Sequence, residues 1–420
     1  MTAHSSRLRL ETILTSAKSI YVSGAAAEIP MAPDLLRQHP PTDATVTGIF
    51  TPPLNRRSYA DPETGLRMRS FFLLGEIKQH LGLGLIDHCP WRYGAINRWM
   101  LAPGRFDTAL VMLSPPDANG KCNLGVQTDF FPRFHQHVER IVGFINPNMP
   151  RTIGEGQIDY SALAAVVECD APLSVQAQRE PDIAASAIAG NIVALIPDGA
   201  TVQIGLGQIP SQVLAKLGNH RGLCIHSGVV DDSIIALEAS GALDRDAPIV
   251  TGVVVGTAAI YQAVDNNDRF SFRAVAYTHA CGTIVAFKRF CAVNSVLQVD
   301  LFGQVSAESS ANRLVATPGG LPDFVRGALD SEGGQSIVAV RARNAGSIPN
   351  GITANLGQPG LATSGAVDAD IVVTEFGVAR IRDLPLDQRA EAVIAIAAPE
   401  DQETLSREWA RMRGGFFTKS

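Results

Sequence analysis

Short apolar runs alternate along the chain with amphipathic segments, and glycine or proline separates them. This pattern is typical of a parallel β-sheet covered by helices, because strands buried on both faces are continuously apolar. The run Asp370-Ile371-Val372-Val373-Thr374 is an example, since it is β-branched and too short for a buried helix. The pattern predicts buried strands at residues 19–23, 109–113, 141–145, 163–167, 201–204, 249–255, 284–286, 336–340 and 371–374.

Two pairs of segments resemble each other, which predicts two similar halves. Residues 19–30 and residues 201–210 each combine an apolar strand, a loop of small residues and an Ile-Pro pair that precedes a helix. Residues 113–120 and 297–303 each combine a strand end with a turn that contains an acidic residue and a glycine. Two matches in the same order favour an internal repeat.

The length of the chain is sufficient for two domains. It has 420 residues, of which 46% are apolar and 18% charged, so each half can bury a core of its own. We place the boundary near Pro181, ahead of the helix-like residues 183–196. This gives an N-terminal domain of residues 1–181 and a C-terminal domain of residues 182–420.

The charge pattern argues against nucleic acid as a partner. The net charge is −6, and no long basic run is present to neutralise phosphates. One small basic cluster, formed by Arg56, Arg57, Arg67 and Arg69, fits either an anionic ligand or a solvated loop.

The cysteines and the hydropathy indicate a cytoplasmic protein. Six cysteines are scattered without a C-x-x-C pair, so we expect them to be reduced and buried, with no metal site. No apolar stretch reaches the ~18 residues that a membrane span requires, and the N-terminus lacks the pattern of a signal peptide. We therefore expect a soluble protein with no membrane partner.

The run Gly205-Leu206-Gly207-Gln208-Ile209-Pro210 follows a predicted strand and opens a predicted helix. Glycines there allow close approach of a ligand, and the backbone N–H groups at a helix start favour an anion or a polarised carbonyl. The run lacks the third glycine of a dinucleotide fingerprint, which argues against NAD. A simple turn remains the alternative interpretation.

A larger set of segments resembles one known family. The run from Asn294 to Gln304 is similar to the N-S-x-x-E-x-D-L-x-G-Q segment of the acetyl-CoA hydrolase/transferase family, which includes 4-hydroxybutyrate and butyryl-CoA:acetate CoA-transferases. Its elements Q-x-G-x-G-x-x-P, D-F-x-R-G-A and V-V-T-E-Y-G-x-A resemble residues 203–210, 323–328 and 372–379. Such segments cover residues 107–405 in the family's order, which makes the resemblance specific.

The resemblance implies an α/β fold of two tandem similar domains of the parallel-sheet CoA-transferase type, with an interdomain active-site cleft. It implies coenzyme A or acyl-CoA as substrate, an acyl or CoA acceptor as second partner, no metal, and a homodimer. Gly205 and Gly207 would bind the thioester, and Gly377 would donate its backbone N–H to the oxyanion, which is worth roughly 3–4 kcal/mol. The other positions implied to bind coenzyme A are Gln208, Pro210, Gly319 and Gly320.

Gln298 occupies the position of the family's glutamate, which attacks the acyl-CoA and carries CoA as a covalent adduct. A carboxylate oxygen is a nucleophile, whereas a side-chain amide offers none. Three more departures accompany it: Gly228 replaces the glutamate of H-S-E-M, Leu321 replaces the glutamine of G-G-Q, and no arginine follows Thr363-Ser364. Together they favour changed chemistry over drift, and a natural glutamine over an engineered one.

Other groups could act if Gln298 forms no adduct. Asp300 falls on the same predicted strand face as Gln298 and is the nearest candidate base for a water molecule. Cys224 and His226 also share a strand face and could form a thiol–imidazole pair. A buried cysteine beside a hydrogen-bonded histidine is the alternative for that pair.

We therefore predict an acyl-CoA-using enzyme of the CoA-transferase family, with Gln298, Gly377 and Asp300 as candidate catalytic residues. The alternatives are an acyl-CoA hydrolase or acyltransferase without a covalent protein adduct, or a non-catalytic acyl-CoA-binding homologue. Restoring the carboxylate by Gln298→Glu is expected to bring CoA-transferase activity if the remaining site is intact.

Overall fold

Helices and strands alternate along most of the chain. The computed structural model describes residues 3–52, 54–72, 76–176, 180, 182–310, 313–343, 350–357 and 360–417. The helices are α1 (Ala3–Ser16), α2 (Ala32–Gln38), α3 (Ile77–His80), α4 (Tyr93–Met100), α5 (Ile183–Val193), α6 (Gln208–Lys216), α7 (Ser233–Ala239), α8 (Ala258–Ala263), α9 (Val275–Thr278), α10 (Cys281–Val285), α11 (Leu321–Asp330), α12 (Leu386–Ala395) and α13 (Pro399–Phe417).

The strands are short and include both sheet members and isolated pairs. They are β1 (Ser19–Val22), β2 (Thr45–Gly48), β3 (Arg67–Ser70), β4 (Ile86–His88), β5 (Thr108–Leu113), β6 (Lys121–Asn123), β7 (Arg140–Ile145), β8 (Gln157–Asp159), β9 (Ala165–Glu168), β10 (Thr201–Ile204), β11 (Cys224–Ile225), β12 (Val229–Val230), β13 (Ile249–Thr251), β14 (Val253–Val254), β15 (Phe270–Phe272), β16 (Phe290–Ser295), β17 (Gln298–Asp300), β18 (Val305–Ser306), β19 (Ser309–Ser310), β20 (Arg313–Leu314), β21 (Gln335–Ala339), β22 (Ile352–Thr353), β23 (Ile371–Thr374) and β24 (Gly377–Arg380).

These elements form two compact units. The first contains Met1–Ala177 and Pro248–Thr278, and the second contains Gln178–Ala247 and His279–Ser420. A single division at residue 181 therefore leaves out the inserted segment, which belongs with the first unit because Val254 and Phe272 donate backbone hydrogen bonds to residues of that unit. The identity of the two halves as CoA-transferase-type domains stays a prediction.

The first unit is built on one parallel sheet, in the order β4-β3-β2-β1-β5-β7-β9. All residues of β5 are buried, which explains its unbroken apolar sequence. Strands β2 to β4 lie on one side of β1, and β5, β7 and β9 lie on the other. The topological switch point of this sheet is therefore between β1 and β5.

The second unit is built on a six-stranded sheet, in the order β11-β10-β16-β21-β23-β24. All its pairs are parallel except the last, a hairpin of β23 and β24. Helix α6 connects β10 to β11, and α11 leads into β21 on the other side of β16. Right-handed crossovers in opposite directions place these two helices on opposite faces of the sheet, with the switch point between β10 and β16.

The predicted α/β class with parallel sheets is confirmed. One predicted strand is wrong: residues 284–286 overlap the end of α10, where Ile284 is fully buried against Phe290 and Phe324. A short buried apolar run has the same composition in a helix and in a strand, so its pattern cannot decide between them.

One turn is built in the same way in both units. Asp117 accepts hydrogen bonds from the backbone N–H groups two and four residues later, and so does Asp300. In each turn a glycine with positive φ, Gly120 or Gly303, donates its N–H to the aspartate carbonyl at 2.9 Å. The match explains the second pair of similar sequence segments as a repeated structural device.

Two observations bear on the environment of the protein. None of the helices in the described part of the chain is long and apolar enough to span a bilayer. The cysteines form no disulfide, as expected, but not all are buried: Cys281 is exposed.

A buried carboxyl group lies in the aromatic core of the first unit. Asp129 is 2% exposed beside Phe130 and Phe131, and Gln127 donates a hydrogen bond to its Oδ2 at 3.4 Å. Burial raises the pKa of Asp129 to about 7, and the hydrogen bond from Gln127 offsets only part of this effect. The folded protein therefore favours the protonated form of this group.

We expect Asp129→Asn to stabilise the protein more at about pH 8 than at about pH 4. The folded-state pKa exceeds the unfolded one, so stability present at low pH is lost as the pH rises through about 7. The amide removes this loss, which amounts to up to about 4 kcal/mol. Urea unfolding of wild type and variant across this pH range measures it, with the exposed Asp268→Asn as control. Equal differences at both pH values would contradict the prediction.

Candidate active site

The carboxyl ends of the parallel strands of the second unit share one edge of its sheet. Ligands of open α/β sheets bind beyond this edge, next to the switch point. The segments that follow the strands there are residues 226–228 after β11, residues 205–207 after β10, Gln298 after β16, Arg341 after β21 and residues 375–377 after β23.

Two buried amides join the strands on either side of the switch point. Gln203 in β10 donates to Asn294 Oδ1 at 3.3 Å, and Asn294 in β16 donates to Gln203 Oε1 at 3.1 Å. Gly205 follows at the end of β10, where a Cβ atom would lie 3.0 Å from Asn294 Oδ1. The glycine loop and the segment leading to Gln298 are therefore held side by side.

The glycine loop opens α6 in a fixed conformation. Gly207 precedes the helix with a φ of 128°, a value that favours glycine. Arg341 donates to Gln208 Oε1 at 3.0 Å and to Asp182 Oδ1 at 2.9 Å, and Pro210 is buried in the first turn. Gln208 and Pro210 thus shape the loop, while Gly207 itself is exposed.

Gln298 is buried in polar surroundings. Its side chain belongs to a residue that is 6% exposed, and its Nε2 donates to the backbone carbonyl of Asn350 at 3.2 Å. Asn350 in turn donates through Nδ2 to Asp401 Oδ2 at 2.7 Å, and Arg343 pairs with the same carboxylate. The position is therefore built for a hydrogen-bond donor, which an amide provides and a carboxylate does not.

Asp300 is fully buried, and its carboxylate is occupied by the repeated turn. It accepts from the backbone N–H groups of Phe302 and Gln304 and from Gln304 Nε2 at 2.8–3.0 Å. Burial raises the pKa of Asp300, and the bonds from Gln304 and Phe302 counteract it. The geometry gives Asp300 a structural role, and its use as a base stays a prediction that these contacts do not support.

Backbone hydrogen bonds connect Gln298 with the hairpin that contains Gly377. Val299 donates to the carbonyl of Gly351 at 2.7 Å, and Gly351 donates to that of Ala342 at 3.1 Å. The N–H of Ala342 is accepted by Glu375 Oε2 at 2.9 Å, so Glu375 is a structural carboxylate. Gly377 then opens β24 with a φ of 153°. The two candidate catalytic positions thus lie along one continuous hydrogen-bonded path.

A histidine that belongs to no recognisable motif, His279, lies at the glycine pair before α11. The His279 ring is in contact with Gly320 and with Gly228, and it packs on Phe324 with ring centroids 4.5 Å apart. Burial, and secondarily the neighbouring His226, lowers the pKa of His279 to about 3, so the ring is neutral at physiological pH. Gly319 precedes Gly320 with a φ of 57°.

The thiol–imidazole pair of Cys224 and His226 stays a prediction. Cys224 is half-buried, whereas His226 is 1% exposed and packs on Phe287 with ring centroids 4.8 Å apart. In the described ranges, no group of three or more His, Cys, Asp or Glu side chains is placed to hold a metal ion. The absence of a metal requirement stays a prediction.

Comparison with known proteins decides the family. Residues 256–409 match the model of the acetyl-CoA hydrolase/transferase C-terminal domain. The 4-hydroxybutyrate coenzyme A transferase of Clostridium kluyveri is 35% identical over 73% of this chain and 72% of its own length. The chain belongs to the acetyl-CoA hydrolase/transferase family. It is therefore an acyl-CoA-using enzyme of CoA-transferase or hydrolase type, as its motifs predicted.

Two further relatives support the same assignment over more of the chain. The succinyl-CoA:acetate/propanoyl-CoA:succinate CoA transferase of Fasciola hepatica is 31% identical over 83% of this chain and 75% of its own. The crystal structure of RipA from Yersinia pestis superposes with a TM-score of 0.88 at 25% identity, covering 98% of this chain and all of RipA. This family member therefore has the fold of the family throughout its length.

The structure brings most of the predicted positions to one sheet edge of this family member. Gly205, Gly207, Gln298 and Gly377 all follow strands that end there, and Gly320 begins α11 at the same edge. Their roles toward a thioester stay predictions. His279 was missed because its contacts join residues far apart in the chain, and no motif surrounds it.

We expect Gln298→Glu to destabilise this family member at about pH 8 by about 1–3 kcal/mol and by less at about pH 5. At high pH a buried carboxylate would face the Asn350 carbonyl; at low pH it is protonated and can donate. The stability that the variant has below the unfolded-state pKa of the introduced carboxyl group is thus lost as the pH rises and this group ionises. Urea unfolding measures the difference, with Gln262→Glu at an exposed position as control. Equal stability of wild type and Gln298→Glu at both pH values would refute this role of the amide.

Proposed function

We propose that this family member cleaves the acyl–sulfur bond of a CoA thioester by direct attack of water or another acyl acceptor, without a covalent adduct on the protein. The observation that carries the proposal is the buried Gln298 amide, which donates to the Asn350 carbonyl. An amide at this position offers no nucleophilic oxygen. The family description includes hydrolases as well as transferases, which supports such a reaction.

Three carboxylates near this edge are engaged in structural contacts. Asp300 holds its turn, Glu375 accepts from Ala342, and Glu308 accepts from Thr363 Oγ1 at 2.9 Å. Burial raises the pKa of Glu308, with the hydrogen bond from Thr363 as the smaller, opposing effect. None of these three groups is arranged as an exposed nucleophile.

The backbone N–H groups of the glycine turns at this edge suit polarisation of the thioester carbonyl. In this reaction the oxygen of water bonds to the acyl carbon and the carbon–sulfur bond breaks, while one proton of the water passes to the sulfur, so that the products are the carboxylic acid and the free CoA thiol. We infer that the exposed Gly207 at the start of α6, and Gly377 in the hairpin, stabilise the intermediate oxyanion by backbone N–H groups. Gly319, where a Cβ atom would have nothing within 4 Å, would leave room for the coenzyme, and Gly205, Gln208, Pro210 and Gly320 would shape the site beside it.

We further propose a homodimer in the cytoplasm, with water or another acyl acceptor as second substrate. The family resemblance supports the dimer. The six cysteines, which form no disulfide, fit a reducing compartment.

A thioester assay tests the proposed reaction. The protein is incubated with a panel of acyl-CoAs, with and without carboxylate acceptors, and free thiol and new acyl-CoA are followed. We expect thiol release that does not depend on a carboxylate, and no mass increase of the denatured protein after incubation. Acceptor-dependent formation of a new acyl-CoA together with a CoA adduct would overturn the proposal. Binding without turnover would indicate a non-catalytic homologue.

We expect Gly207→Ala to lower kcat/KM for the thioester by about tenfold or more, because a methyl group strains a backbone with a φ of 128° and shifts the N–H groups beside it. Gly199→Ala is the matched control. Its φ is also positive, at 69°, but it precedes β10 and lies at the opposite end of that strand. Both variants should lose stability, and only the first should lose activity. Equal losses of activity would remove Gly207 from the site.

A further inference from the structure

The imidazole of His279 is enclosed by two glycines. A Cβ atom on Gly228 would lie 2.6 Å from Cε1 and 2.9 Å from Nε2 of the ring. A Cβ atom on Gly320 would lie 2.4 Å from Nε2 and 2.6 Å from Cδ2. His279 is 5% exposed. The ring therefore has little room to move away from one glycine, because the other and Phe324 are also in contact with it.

The enclosure lies at the candidate active site. Gly228 follows β11 at the carboxyl edge of the sheet, and Gly320 begins α11 at that edge. Ser227, just before Gly228, donates through its hydroxyl to the carbonyl of Ile204 at 2.9 Å, which ties this segment to the end of β10. The His279 ring is thus held close to the strand that carries the glycine loop.

A side chain at position 228 and the ring of His279 exclude each other. The distances above are shorter than real Cβ atoms tolerate, so any residue larger than glycine at 228 requires the ring to move. The similar family segment H-S-E-M has a glutamate at this position. Of the two positions where an acidic residue has been lost, 298 is buried and requires a donor, whereas 228 is half-buried at the edge. Of these two positions, 228 is therefore the one from which an introduced carboxylate starts nearer to solvent at this edge.

We propose that His279 is a specificity-determining residue that fills the space of a side chain at position 228, so that no carboxylate can approach the thioester from there. The inference rests on the proposed function, in which attack occurs without a protein adduct. The ring is neutral and packed on Phe324, so it excludes the carboxylate by volume and not by charge. It directs the enzyme away from covalent CoA transfer and toward direct acyl transfer.

Stability measurements test the steric part without any substrate. Gly228→Ala should lower the midpoint of thermal unfolding in the wild-type background and have a much smaller effect in His279→Ala, since the methyl group then has space. Gly282→Ala is the matched control, because Gly282 lies within α10 and a Cβ atom there has nothing within 4 Å. If Gly228→Ala lowered the unfolding midpoint equally in both backgrounds, the proposed steric exclusion between position 228 and the His279 ring would be overturned.

Activity measurements test the functional part. Gly228→Glu combined with His279→Ala should transfer CoA to an added carboxylate about tenfold or more faster than wild type and should gain the mass of CoA. Gly228→Gln with His279→Ala is the matched variant with an amide, and it should do neither. A folded double variant with glutamate that forms no adduct would overturn the role of His279. If the double variant does not fold, the stability comparison of Gly228→Ala in the wild-type and His279→Ala backgrounds still tests whether the ring excludes a side chain at 228. Thiol release by the wild-type protein tests the proposed function separately.

Discussion

The candidate site depends on the pair of buried amides formed by Gln203 and Asn294. The pair links β10 to β16 at the switch point of the second unit, and each side chain both donates and accepts. A buried amide without a partner costs about 1–3 kcal/mol, so a shift of either strand would leave two such groups unsatisfied. The pair therefore fixes the positions from which the glycine loop after β10 and the Gln298 segment after β16 begin.

Periodicity and turn chemistry were sufficient to predict the architecture. Continuous apolar runs identified β1, β5 and β7 of the first sheet and β10, β21 and β23 of the second, because a strand buried on two faces needs apolar side chains throughout, whereas β16 was not among the predicted strands. The strand predicted at residues 284–286 is wrong, because these residues lie at the end of the helix α10, where Ile284 is as buried as a residue of a central strand. The inserted segment 248–278 was missed as part of the first unit because its strands are short and its hydrogen bonds to that unit, from Val254 to Val126 and from Phe272 to Ile153, join residues more than a hundred positions apart.

The site was predictable only where a local motif carries it. Glycines at 205, 207 and 377 are visible because a turn after a strand needs them locally. The sequence also identified Gln298 as a departure, but not the Asn350 carbonyl that makes an amide fit there. Asp300 is a different case: its position beside Gln298 suggested a base, whereas the matching turn at Asp117 reveals a structural contact of this aspartate that the sequence did not show.

The departures from the family pattern are linked to contacts that a single substitution would not create. Glutamine at 298 meets an acceptor held by Asn350 and Asp401, and glycine at 228 accommodates a ring that comes from position 279. A change at 298 alone would leave the Asn350 carbonyl without its donor, and a larger residue at 228 alone would clash with the His279 ring. Since both pairs are complete, glutamine at 298 and glycine at 228 fit the packing of this edge, as the proposed reaction without a protein adduct requires.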